Sequence, residues 1–81
     1  MKAVNYIDRL IGQRIRNGQD TRTLTVDRTL FEEFKAEMQT GYFGHFTATK
    51  NYVQVFTPTG VCQIETEEEG AAREARLSAR Q

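Results

Sequence analysis

The sequence predicts a small α+β fold in the order α-β-α-β-β-β-α, with a three- to four-stranded antiparallel sheet and helices packed on one face. Three observations carry that reading. Apolar residues recur at spacings of three and four near the start and the middle of the chain, as on amphipathic helices. After Gly41 the period falls to two, and Tyr, Phe, Thr and Val dominate, as in strands. Lys50-Asn51 and Thr57-Pro58-Thr59-Gly60 then divide that stretch as two tight reversals. The 81 residues are enough for one domain, spanning 1–81, and too few for two.

In the first segment Val4, Ile7, Leu10, Ile11 and Ile15 form one stripe, so a helix is expected near residues 3–16. Asn17-Gly18 offers it a left-handed exit. Arg22 to Val26 alternates polar and apolar residues and reads as a strand. Asp27 or Thr29 can cap the next helix, where Leu30, Phe31, Phe34 and Met38 share a face. Gly41 ends it. Residues 42–49, 51–57 and 61–66 then read as a three-stranded meander.

Register follows from the turns. A two-residue turn at Lys50-Asn51 sets Ala48 opposite Val53. For the second hairpin, a four-residue loop pairs Phe56 with Val61, Val55 with Cys62 and Val53 with Ile64. A three-residue loop with Gly60 as a bulge shifts the pairing by one and mixes the faces. The first option is preferred because it gives one wholly apolar face. The expected core is Val4, Ile7, Ile11, Ile15, Leu24, Val26, Leu30, Phe31, Phe34, Met38, Phe46, Val53, Val55, Cys62 and Ile64. The opposite face then collects Phe43, His45, Thr47, Thr49, Tyr52, Gln54, Phe56, Val61 and Gln63, a mixed aromatic and amide surface.

The last segment is helical again. Thr66-Glu67-Glu68-Glu69 fits a capping box, and acidic residues suit a helix N-terminus. Its stripe is thin, with Leu77 its single large apolar residue. A helix over about 67–80 that docks loosely is therefore expected.

Composition narrows the function. Eleven Lys and Arg balance eleven Asp and Glu, which argues against a constitutive polyanion binder. The balance hides a polarity, because the first third is rich in Arg and the end is rich in Glu. One Cys allows no internal disulfide and no Cys-based zinc site, so neither a metal nor a cofactor is expected. No apolar run approaches the roughly 20 residues of a membrane span. A cytoplasmic protein without membrane contact is expected.

Catalytic chemistry has little to work with. His45 and Cys62 are single representatives of their kinds, and the preferred register puts them on opposite faces of the sheet. No phosphate loop, dinucleotide fingerprint or metalloprotease motif occurs. The expectation is a non-enzymatic protein-binding module with no catalytic residues. It would be a small accessory or inhibitory factor, of a kind that phages and mobile elements often encode, regulating a macromolecular partner by covering its surface. Aromatic residues and Arg are the types that dominate interface hot spots. The candidate contact residues are accordingly Tyr42, Phe43, His45, Tyr52 and Phe56, with Arg14 and Arg16 as a second, polar patch. The alternative is single-stranded nucleic-acid binding, with bases stacked on the aromatic face and phosphates held by the Arg-rich first third. Homodimerisation through an edge strand is a further option.

Overall fold

The computed structural model describes residues 1–41 and 45–79. It contains α1 (Lys2–Arg16), β1 (Thr23–Val26), α2 (Arg28–Thr40), β2 (Thr47–Ala48), β3 (Tyr52–Thr57), β4 (Gly60–Thr66) and α3 (Glu67–Ala79). Among the described residues, no helix is long and apolar enough to cross a membrane.

Local chemistry sets the boundaries. At the end of α1, the Gly18 N–H bonds to the Ile15 carbonyl and the Gln19 N–H to the Arg14 carbonyl. Gly18 supplies the positive φ that this paired cap needs. Of the two candidate caps for α2, Asp27 takes the role, its carboxylate accepting the Leu30 N–H at 2.7 Å. Thr29 lies inside the helix, where Glu32 pairs with Arg28 one turn back. Thr66 caps α3 through the Glu69 N–H at 3.2 Å.

The sheet order is β1-β4-β3-β2. The second hairpin takes the preferred register, with Phe56 opposite Val61, Val55 opposite Cys62 and Val53 opposite Ile64. Its turn is Pro58-Thr59, closed by Gly60 at φ +121°, a backbone open to glycine and strained for other residues. Ala48 lies opposite Val53, as the Lys50-Asn51 reversal requires. Among the described residues the ladder of β2 covers Thr47 and Ala48, and residues 42–44 of the expected strand lie outside them.

Two expectations need correction. The sheet is mixed, because β1 pairs with β4 in parallel, Leu24 beside Ile64. The cause is α2. A helix that leaves one strand and returns the chain to the same sheet brings the next strand in parallel to the first. Thus β1 and β2 run the same way, and β3 and β4 fill the space between them antiparallel to each other. Nor do the helices share one face. Helices α1 and α2 cover the apolar face, while α3 lies against Glu65 and Thr25 on the other.

The core lies between the sheet and the α1/α2 layer. Ala3, Val4, Ile7, Ile11, Leu24, Val26, Phe31, Phe34, Met38, Val53, Cys62 and Ile64 are buried there, with Ile15, Leu30, Phe46, Ala48 and Val55 packed at its margin. Every residue expected in the core is found in it or against it. Glu37 joins the two helices, its carboxylate accepting the Ala3 and Val4 N–H groups at 3.0 and 2.8 Å. It thereby satisfies free donors at the start of α1.

Candidate functional site

The outer face of the sheet is defined by alternation along β3 and β4. Tyr52, Gln54 and Phe56 pair with Glu65, Gln63 and Val61 respectively. The Gln54 amide donates to the Gln63 carbonyl oxygen at 3.0 Å, and the Gln63 amide donates to Glu65 at 3.1 Å. These two amides form a polar divide across the face. On one side of it α3 covers Glu65. On the other, Phe56 and Val61 are open to water.

Phe56 is 74% exposed and Val61 49% exposed, and they are direct cross-strand partners. Covering a large apolar side chain contributes about 1.5–3 kcal/mol, so this pair is of hot-spot size. Phe56 also lines an apolar groove of about 580 Å³ between the C-terminal end of β3 and the helices α1 and α2. Ile7, Ile11, Met38 and Val55 contribute to its walls, and Asp8 and His45 are its titratable lining groups among the described residues. Burial there raises the Asp8 carboxyl above its usual range. A smaller hollow of about 310 Å³ shares His45, Val55 and Phe56 with the groove and adds Gln54 and Val61.

The sequence-based candidates are dispersed by the fold. Phe56 and exposed His45 share both hollows. Tyr52 is on the same face but four residues along β3, roughly 13 Å away at the strand rise. It is half-buried beside Glu65. Tyr42 and Phe43 lie outside the described residues. Arg14 and Arg16 do not make a patch, since residues two apart on a helix point in different directions. The Arg14 guanidinium donates to the carbonyls of Asp20 and Thr23 at 3.4 and 3.3 Å, tying α1 to β1. Arg16 is exposed.

Other arginines are held by acids. Arg22 grips Asp20 through Nε and a terminal nitrogen, and this bonding holds the Asp20 carboxyl down at about 2. Arg28 reaches Glu32, Glu68, the Lys50 carbonyl and Asn51, joining α2, the first hairpin turn and α3. The polarity seen in the linear sequence is therefore partly closed by pairs such as Arg28–Glu68.

Two groupings escaped sequence reasoning. Val61 belongs to the exposed pair, and its position opposite Phe56 in the favoured register is the signal that marks it. Glu65 is fully buried, with Arg73, Thr25 and Gln63 on its carboxylate. Its place in the alternation with Gln63 marks its face, but only the position of α3 explains its burial.

Cys62 faces the core and is 1% exposed, and burial pushes its thiol up. A thiol in such surroundings is a poor nucleophile, because the thiolate is the reactive form. Among the described residues, no group of three or more His, Cys, Asp or Glu side chains is placed to hold a metal ion. No family model, curated protein or solved structure matches the chain.

Proposed function

We propose that the protein is a non-enzymatic binding module, a small accessory or inhibitory factor that acts by covering the surface of a protein partner. The observation that carries this reading is the Phe56–Val61 pair, exposed at the open end of the sheet and continuous with an apolar groove. An aromatic anchor beside a β-branched residue, bordered by amides, has the apolar centre and polar rim of a protein interface. The arginines support the same choice. Arg22 and Arg28 are engaged with carboxylates, so holding phosphate would first require breaking those pairs.

The test is affinity capture with wild-type protein, a Phe56→Ser/Val61→Ser variant and a variant of two exposed α1 arginines, Arg9→Ala/Arg16→Ala. A partner captured in fixed ratio by wild type and the Arg variant, and lost with the Phe56/Val61 variant, is the expected result. Equal capture by all three would place the interface elsewhere. Titration of labelled single-stranded RNA and DNA at two salt concentrations separates the nucleic-acid alternative. Binding that strengthens as salt falls and survives the Phe56/Val61 change would favour it instead.

A further inference from the structure

The apolar core contains residues of both other helices and of the strands, but none from α3. Within α3 the one buried residue is Gly70, and Leu77 is 51% exposed. Its docking is polar, with an exposed Arg28–Glu68 pair at 3.0 Å tying its first turn to α2 and the buried contact at Glu65. Arg73 donates through Nε and a terminal nitrogen to the two Glu65 carboxylate oxygens, at 3.4 and 3.2 Å. Thr25 and Gln63 complete the shell of that carboxylate at 3.3 and 3.1 Å. Gly70 allows the approach, since a Cβ there would stand 2.7 Å from a Glu65 oxygen and 3.5 Å from the Thr25 hydroxyl.

We propose that α3 is a detachable strap, fastened to the outer face of β1 and β4 by the Glu65–Arg73 latch. It leaves as a unit while the α1/α2 layer and the four-stranded sheet stay folded. A buried ion pair adds little net stability, because desolvation offsets attraction. Little apolar burial stands behind it here. A 13-residue helix is marginal in water without tertiary support, so α3 unwinds when it lets go. Release uncovers Glu65, a carboxylate already arranged to accept a guanidinium, beside the exposed Thr25 and the half-buried Gln63. The body retains its own core and every strand pairing.

Amide hydrogen exchange on the intact chain tests this directly, because it resolves partial opening from global unfolding. In wild type, amides of residues 71–79 are expected to be protected at least about tenfold less than those of Val53 and Ile64. Arg73→Ala should speed exchange in α3 by about a further tenfold and leave Val53 and Ile64 unchanged. Arg73→Lys should fall between, since lysine keeps the charge but not the planar fork. Equal protection of α3 and the two strand amides in wild type would overturn the proposal. So would an Arg73→Ala protein that exchanges like wild type, speeds up everywhere together, or fails to fold.

Discussion

Ile64 and Glu65 are neighbours in β4, and both are fully buried, but by different means. Ile64 enters an apolar cluster under α1 and α2, where contact is non-directional and many side chains share the load. Glu65 is buried by a single helix and needs its carboxylate partners in place, because a buried charge left unpaired is costly. The contrast teaches that one strand can carry the global stability of the domain on one face and the placement of one helix on the other. The unburied remainder of the second face, Phe56 and Val61, is under neither obligation.

The largest expected effect lies on the apolar face. Phe31 is fully buried, so Phe31→Ala should cost about 3–5 kcal/mol in urea unfolding. A domain of this length typically has only about 4–12 kcal/mol in all. The variant should therefore be strongly destabilised in every segment at once. A loss below about 1 kcal/mol would mean that the α1/α2 layer is not the dominant core.

Gly70→Ala probes the other kind of burial. The added methyl meets a carboxylate oxygen that Thr25 and Arg73 hold in place, so the latch must shift. Alanine also favours helix over glycine by roughly 1 kcal/mol, which offsets part of the strain. Global urea stability should move by less than about 1 kcal/mol, while amide protection in α3 falls. A cooperative loss as large as that of Phe31→Ala would erase the distinction between the two faces.

These two faces were unequally legible in the sequence. Periodicity finds apolar burial well, because Val53, Val55, Cys62 and Ile64 announce a face by alternation, and the preferred register followed from it. Topology was harder. The parallel pairing of β1 was implicit in the helix that separates it from β2, but strand propensity alone does not reveal strand direction. The latch was hidden for another reason. Glu65 and Arg73 resemble ordinary wet-face charges, and a glycine inside a helix, such as Gly70, reads from sequence only as a cost in stability. Their roles exist only once α3 has folded back onto Thr25. Residue type alone also does not show that Arg14 bonds carbonyls of its own chain.

Acid should act modestly and with a mixed sign. Arg22 holds Asp20 at about 2, and the Val4 and Ala3 N–H groups hold Glu37 below its usual range. For both, the folded value is below the unfolded one. Their contribution is present above the ordinary carboxylate range and is lost as pH falls, for Asp20 down through about 2. Asp8 works the other way, because burial raises it and its protonation eases folding. Glu37→Gln should flatten the fall in urea midpoint between about pH 6 and about pH 3. An unchanged slope would show that Glu37 does not secure the start of α1.

The smallest expected change in stability belongs to Phe56→Ser/Val61→Ser. Phe56 is 74% exposed, so little burial is lost, and the hairpin is closed independently by Pro58-Thr59 and by the hydrogen bond from the Thr57 hydroxyl to the Gly60 carbonyl at 2.8 Å. The cross-strand contact itself contributes roughly 0.2–1 kcal/mol, so urea stability should fall by no more than about 1 kcal/mol. If the pair is an interface, the same change removes partner binding while the protein stays folded. A fall of several kcal/mol would mean that the pair supports the hairpin from within. The open end of the sheet would then belong to the folding problem and not to recognition.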